Sequence, residues 1–153
     1  MPNLLLCLLL TIYQTADYRI DLGRYHDNQK QEKAQGYVET FTIKDEEGKQ
    51  QYIISITKVE MPNVQSVPNV YGAEYKKAIL SKCGCTISST AVKQFKHFKA
   101  QEFKMFRNGK GACIYSTAKG KNLYSITYSA IGNRNTEEKY PDFEKMINTL
   151  EFL

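Results

Sequence analysis

The chain has 153 residues, of which 42% are apolar and 24% are charged. This length suits one domain and is enough to bury a core without the help of metals or disulfides. The formal net charge of +5 is mildly basic, which is compatible with an anionic partner but does not require one. The composition is that of a globular protein, so a fibrous or low-complexity chain is excluded.

The first residues have the pattern of a leader. Residues 4–12 are LLLCLLLTI, and no charge occurs before Asp17. This run is too short to span a bilayer, which needs about 20 residues, and it fits the apolar part of a secretory signal peptide. The usual basic residues before it are missing, which indicates that the start is misplaced or lies upstream. The alternative is a buried N-terminal strand or helix. We predict a signal peptide over 1–16 and one domain over 17–153.

Alternating runs predict an antiparallel sheet. Residues 17–23 predict a first strand, whereas the polar stretch 24–35 predicts a loop. Residues 37–43 and 52–59 alternate on either side of a charged turn that contains Gly48, which is typical of a β-hairpin. Further strand patterns follow at 86–92, 112–118 and 123–131. The segment 93–106 fits a helix as well as a strand, and both alternatives stay open.

Two segments have helical patterns. Residues 72–82 place apolar side chains at helical spacing, with lysines in the last turn. Residues 140–150 place apolar side chains at i, i+3, i+4 and i+7, with Pro141 in the first turn. A last short strand is predicted at 151–153. The expected architecture is a single α+β domain in which helices cover an antiparallel sheet.

The second half of the chain resembles the PsbP-like superfamily. The resemblance rests on the turn RNGKG, the strands ACIYSTA and LYSITYSAI across KGKN, and the closing stretch YPDFEKMINTLEF. This superfamily includes photosystem extrinsic subunits, bacterial PsbP-like and DcrB-like envelope proteins, and a Ran-binding nuclear transport factor. The resemblance covers 86–153 best. It implies a PsbP-like fold and a binding or accessory role without enzymatic chemistry, and it assigns no site residues.

The sequence contains no recognisable catalytic motif. The two histidines, His26 and His97, stand in unrelated polar stretches, and the motifs of serine hydrolases, zinc proteases and P-loop proteins do not occur. A functional site needs convergent groups. We therefore expect a protein that is not an enzyme and that needs no cofactor.

The cysteines allow several arrangements. Without the leader, Cys83, Cys85 and Cys113 remain, and an odd number leaves at least one thiol unpaired in a monomer. In an exported protein we expect a bridge from Cys83 or Cys85 to Cys113. The alternatives are a Cys83–Cys85 disulfide, free thiols, or a thiol-redox or soft-metal site that uses Cys83, Cys85 and Cys113.

A basic and aromatic run extends over residues 93–110. Its cations are accompanied by one acid, Glu102, and by four interleaved phenylalanines. Such a run can bind a polyanion or an acidic membrane surface. The favoured interpretation is that the phenylalanines lie in the core and the cations in solvent. The candidate anion-binding residues are Lys93, Lys96, Lys99, Lys104, Arg107 and Lys110.

These patterns predict a small exported protein, periplasmic or extracellular, that acts as a non-enzymatic binding or accessory factor of a bacterial envelope. One alternative is a thiol-redox or soft-metal-binding protein that uses the CGC motif. The other is a polyanion-binding module that uses residues 93–110. The expected partner is a protein or a small molecule. Nucleic acid is not favoured, and membrane association without spanning is compatible with the charge.

Overall fold

A computed structural model describes residues 11–23, 26–107, 110–131 and 136–153. These residues form ten strands and two α-helices, with short 3-10 helices at Val64–Ser66 and Thr136–Lys139. The strands are β1 (Ile12–Gln14), β2 (Tyr18–Asp21), β3 (His26–Lys33), β4 (Gly36–Lys44), β5 (Gln50–Glu60), β6 (Thr86–Gln94), β7 (Lys99–Arg107), β8 (Lys110–Lys119), β9 (Asn122–Ala130) and β10 (Glu151–Phe152). The helices are α1 (Ala73–Cys83) and α2 (Tyr140–Ile147).

Seven strands form one antiparallel sheet in the order β3-β4-β5-β9-β8-β7-β6. Its two halves meet where β5 pairs with β9, and there Ile56 lies opposite Ile126. A smaller sheet of order β1-β2-β10 joins both ends of the described chain, with Tyr18 opposite Phe152. The predicted α+β domain with an antiparallel sheet is confirmed, as are both helices and the last short strand.

The strands form where apolar side chains alternate. In β4, every second residue is buried, and the same holds along most of β9, where Tyr124, Ile126 and Tyr128 are inaccessible. Successive side chains of a strand point to opposite faces of the sheet. The alternation therefore sets which face of each strand meets the core.

The two helices lie on opposite faces of the sheet. Phe143 and Ile147 of α2 belong to the main apolar cluster, together with Tyr115 of β8. Tyr75 of α1 belongs to a smaller cluster, and its hydroxyl donates to Ser116 Oγ at 3.0 Å. Because Tyr115 and Ser116 are neighbours on one strand, they point to opposite faces. We call the face that carries Tyr115 the α2 face and the face that carries Ser116 the α1 face.

The prediction of a loop over 24–35 is wrong for its described part. His26–Lys33 forms β3, which pairs along its whole length with β4 at one edge of the sheet. Nearly all of its side chains are exposed. An edge strand that buries almost nothing has no apolar alternation to reveal it, and its charged side chains discourage further pairing at the edge.

The open segment 93–106 is a strand hairpin. β6 ends at Gln94, the backbone N–H of Phe95 donates to the carbonyl of Phe98 at 2.8 Å, and β7 starts at Lys99. Phe95 and Phe103 are buried and Phe98 is half-buried, as the favoured interpretation expected, whereas Phe106 is 44% exposed. The phenylalanines have a helix-like spacing in the sequence because a turn between two strands interrupts the alternation of the strands.

The predicted leader lies mostly outside the described residues. Its last part, 11–16, contains β1, which pairs with β2 through Tyr13 opposite Ile20. The signal peptide stays a prediction. Neither helix in the described part of the chain is long and apolar enough to cross a membrane.

Candidate functional site

A pocket of about 390 Å³ opens on the α2 face, where β7 and β8 meet the first turn of α2. Lys104 and Phe106 alternate along β7, so both point into this side of the sheet. Cys113 comes from β8, whereas Tyr140 and Pro141 come from the start of α2. The pocket thus combines the cation of Lys104, the acid Glu137, an exposed aromatic ring and a helix start.

A hydrogen-bonded cluster lies directly beside this pocket. Glu102 of β7 is only 2% exposed, and its Oε2 accepts from Tyr140 at 2.5 Å and from Tyr115 at 2.9 Å. The two tyrosine hydroxyls lie 2.7 Å apart, and Tyr140 also bonds Cys113 Sγ at 3.0 Å. We call Glu102, Tyr115, Tyr140, Cys113 and their partner Glu144 the Glu102 cluster.

Two lysines flank the Glu102 cluster. Lys93 Nζ lies 3.2 Å from Glu144 Oε1 and 4.0 Å from Glu102 Oε2. The hydrogen bond to Glu144 raises the pKa of Lys93. Lys104 Nζ lies 4.4 Å above the ring of Tyr140. Among the ion pairs of the described residues none includes Lys104, so its charge is available to a ligand in the pocket.

The Cys113 thiol and the Tyr115 and Tyr140 hydroxyls of this wall stay protonated at neutral pH. Burial raises the pKa of the Cys113 thiol to about 12. Burial also raises the pKa of Tyr115 and of Tyr140, and the negative charge that Cys113 would carry on ionising adds to both effects. A thiol is a weak nucleophile, because the thiolate is the reactive form. These groups are suited to hydrogen bonding rather than to attack on a substrate.

A second polar cluster lies away from the pocket. Glu39 of β4 is fully buried and accepts hydrogen bonds from Tyr13, from Tyr18 at 2.5 Å and from Asn28 Nδ2 at 3.2 Å. Burial raises the pKa of Tyr13 to about 12, and the bond to Glu39 adds to this effect. We call these four residues the Glu39 cluster.

The expected bridge to Cys113 is wrong. The disulfide joins Cys83 to Cys85, whereas Cys113 is a buried free thiol. Cys83 and Cys85 pack with Met105 on the α1 face, and Cys113 points to the α2 face. The sheet itself separates the two, so no rotation of the side chains can join them.

The structure separates the candidate anion-binding residues. Lys93 and Lys104 lie on the α2 face, whereas Lys99 Nζ lies 5.1 Å above the ring of Tyr71, beside α1. Lys96 is exposed on the turn between β6 and β7, and Lys110 is exposed at the start of β8. Arg107 ends β7. Neighbouring side chains of a strand point to opposite faces of the sheet, so lysines that are close in sequence do not form one positively charged surface patch.

Sequence reasoning missed the Glu102 cluster. It treated Glu102 only as the single acid among lysines, and it left Tyr115 and Tyr140 unassigned. The partners come from three distant parts of the chain, so no local pattern joins them. A buried acid is easier to recognise at Glu39, because this residue interrupts the otherwise apolar inward face formed by Tyr37, Phe41 and Ile43.

No metal-ligand set of histidine, cysteine or acidic side chains with three members occurs among the described residues. The arrangement beside the pocket is a wall of hydrogen-bonding groups with the cation of Lys104 next to it. Such a wall can form hydrogen bonds to a polar group that lies against the apolar part of the pocket.

No protein-family model matches the chain, and no curated protein matches it. Among solved structures, the chain is similar to the solution structure of cyanobacterial PsbP (CyanoP) from Synechocystis sp. PCC 6803. The TM-score is 0.64 at 11% identity, and the match covers 93% of this chain and 91% of that one. The similarity therefore spans nearly the whole domain.

A second similar structure is a crystal structure from Bacteroides thetaiotaomicron VPI-5482, with a TM-score of 0.53 and 13% identity. It covers 89% of this chain and 45% of that chain, so this chain spans less than half of the other protein. At these identities the comparisons show the fold alone. The fold is PsbP-like, as the resemblance of the second half implied.

Proposed function

We propose that this protein is a non-enzymatic binding or accessory protein, exported to a bacterial envelope, and that its pocket holds a small organic anion with an apolar body. The observation that carries the proposal is the position of Lys104. Its ammonium group lies at the pocket over the ring of Tyr140 and has no carboxylate partner among the described residues.

The surroundings of Lys104 support an anion with an apolar part. Phe106 and Pro141 line the same pocket and offer apolar surface to a ligand body. The first turn of α2 also lies there, where the partial positive charge of a helix N-terminus is opposed by Asp142 of the same turn and by Glu137 at the pocket. An anionic group near Lys104 and a ring against Phe106 would satisfy both features of the pocket.

The protonated state of Cys113, Tyr115 and Tyr140 favours a binding role over a catalytic role. The raised pKa of Cys113, to about 12, leaves almost no thiolate at neutral pH. Tyr115 and Tyr140 are likewise held protonated by burial. These groups can exchange hydrogen bonds with a ligand, but none is poised as a nucleophile or a base.

Benzoate is a suitable probe because it combines a carboxylate with a ring. We expect benzoate to shift amide resonances of β7, β8 and α2 in a titration followed by NMR. Replacing Lys104 by Met keeps the stem and removes the charge. A charge-assisted hydrogen bond is worth about 1.5 kcal/mol or more, so we expect benzoate to bind about tenfold more weakly.

Two controls make this experiment selective. Lys96→Met removes an exposed charge from the turn between β6 and β7 and is expected to leave benzoate binding unchanged. Benzyl alcohol, which keeps the ring without the charge, is expected to bind more weakly than benzoate. Equal binding of benzoate to the Lys104→Met variant, or equal binding of the two probes, would contradict the proposal.

Export rests on the uncharged leucine-rich run at residues 4–12. Mass spectrometry of the N-terminus of the protein recovered from a periplasmic fraction tests it. Removal of the leader is the expected result, and an intact Met1 in exported protein would contradict it. Cleavage after Ala16 would also remove Tyr13 from the Glu39 cluster, so the position of the cut matters for the core.

A further inference from the structure

Three sulfur atoms come together at the end of α1. Cys83 is the last residue of the helix, Cys85 follows after one glycine, and Met105 reaches them from β7. Cys83 Sγ lies 4.0 Å from Met105 Sδ. This group packs on the α1 face, whereas the pocket opens on the α2 face, and Met105 contributes to the lining of both.

The turn at Gly84 sets the positions of the two cysteines. Gly84 ends the helix in the left-handed conformation, with φ at +58°, which residues other than glycine adopt at a cost. The backbone N–H of Cys85 then points at Cys83 Sγ, 3.1 Å away. The turn thus holds the sulfur of Cys83 against the backbone of Cys85.

The surroundings suit a soft metal ion. Two thiolates and a thioether are soft ligands, the class that selects Cu(I). Met105 is 4% exposed, and Ile87 and Ile114 pack against the same cluster. Cys83 and Cys85 are only half-buried, so an ion can reach them from solvent.

One of the sulfur–sulfur separations also fits a site with three sulfur ligands. A metal–sulfur bond of about 2.3 Å, the length found for zinc thiolates, places the sulfurs of a planar three-coordinate site about 4 Å apart. The observed separation of Cys83 Sγ and Met105 Sδ is 4.0 Å. Zn(II) prefers four ligands in a tetrahedron, and no set of three histidine, cysteine or acidic ligands occurs in the described residues.

We infer that Cys83, Cys85 and Met105 form a Cu(I) site that exists only when the Cys83–Cys85 disulfide is reduced. An external dithiol supplies two electrons and two protons, breaks the S–S bond and becomes a disulfide itself, which leaves two thiols on the protein. Binding of Cu(I) then releases the two thiol protons. This inference needs no ligand in the pocket and goes beyond the proposed function.

The test titrates the full chain with Cu(I), supplied as its bicinchoninate complex, under anaerobic conditions. We expect one equivalent to bind to the reduced protein and none to the disulfide form. X-ray absorption of the loaded protein is expected to show three sulfur neighbours. Cu(I) binding of equal strength by the disulfide form, or Zn(II) binding that outcompetes Cu(I), would overturn the inference.

Variants identify the third ligand. Met105→Leu keeps the volume of the side chain, and we expect two sulfur neighbours and a loss of affinity of roughly tenfold. The matched control, Met146→Leu on α2, and the variant Cys113→Ala are expected to keep three sulfur neighbours. Three sulfur neighbours in Met105→Leu would overturn the inference, as would the loss of one in Cys113→Ala. Circular dichroism confirms that each variant is folded.

Discussion

Two glutamates lie in the core of this protein, and their surroundings differ. Both oxygens of Glu39 are used, because Oε1 accepts from Tyr13 and Asn28 and Oε2 accepts from Tyr18. At Glu102, both tyrosine donors converge on Oε2. The Glu39 cluster lies between β1, β2, β3 and β4, with Tyr13 half-buried and Asn28 exposed, whereas the Glu102 cluster borders the pocket.

The difference separates a structural role for the Glu39 cluster from the proposed binding role of the Glu102 cluster. A buried carboxyl whose two oxygens both accept hydrogen bonds holds its donors in one arrangement, and a donor that turns away is left unpaired. The hydroxyls at Glu102 have alternative partners within reach, since Tyr115 lies 3.3 Å from Glu144 Oε1 and 2.7 Å from Tyr140. This cluster can therefore redistribute its hydrogen bonds when a ligand enters.

The largest expected effect follows from replacing each carboxyl by an amide. Both carboxyl oxygens of Glu39 accept hydrogen bonds. Whichever oxygen the NH₂ group of Gln replaces in Glu39→Gln, the donor that pointed at that oxygen loses its acceptor. Leaving a buried donor unsatisfied costs about 2 kcal/mol. In Glu102→Gln, the amide oxygen can take the place of Oε2, so we expect a cost below about 1 kcal/mol. Urea unfolding followed by circular dichroism measures both.

The comparison between the two variants is its own control, because the chemical change is identical. Equal losses of unfolding free energy would show that the two clusters do not differ in the way described. A larger loss for Glu102→Gln would reverse their roles and would make the wall of the pocket the structural element.

A smaller effect is expected at the ion pair beside the Glu39 cluster. Asp17 accepts from Lys58 Nζ at 2.6 Å and from Tyr37 at 3.0 Å. Burial acts to raise the pKa of Asp17, but these two hydrogen bonds together with the charge of Lys58 outweigh it and lower the pKa. We expect Asp17→Asn to reduce the free energy of unfolding by about 1 kcal/mol at pH 7.

The sign of the pH dependence follows from the lowered pKa. A carboxyl that is more acidic in the folded state contributes stability above its unfolded pKa of about 3.9, and this contribution is lost as the pH falls through the folded pKa. The difference between wild type and Asp17→Asn should therefore be full at pH 7 and shrink below about pH 4. As a control, Glu60→Gln removes an exposed partner of Lys121 and should change stability less. A constant difference down to pH 2 would contradict the assignment.

Much of the fold was predictable because its signals are local. The hairpin of β4 and β5, the strands β8 and β9, and α2 each bury one face, so apolar residues recur at the period of the element. The strand β3 was not predictable in this way. Its stability comes from backbone pairing with β4, and its exposed side chains carry no periodic signal.

The site was less predictable than the fold because it depends on which helix covers each face of the sheet. Cys113 and Ile114 differ by one position, yet one meets α2 and the other meets the cluster beneath α1. The sequence shows the alternation but not which helix covers which face. The position of Met105 beside Cys83 depends on the same choice, so the sulfur group could not be deduced from the CGC motif.

The smallest effect concerns the thiol of Cys113. Its rate of modification tests whether the Glu102 cluster is closed to solvent. Burial raises its pKa to about 12, so at pH 8 only about one molecule in ten thousand carries the thiolate. We expect no labelling by iodoacetamide in the folded, unreduced protein and complete labelling in urea, measured by mass spectrometry. After reduction, the half-buried Cys83 and Cys85 should react first. Labelling of Cys113 as fast as Cys83 would show that the wall of the pocket opens to solvent, and the contrast with the buried carboxyl of Glu39 would then be larger than the structure indicates.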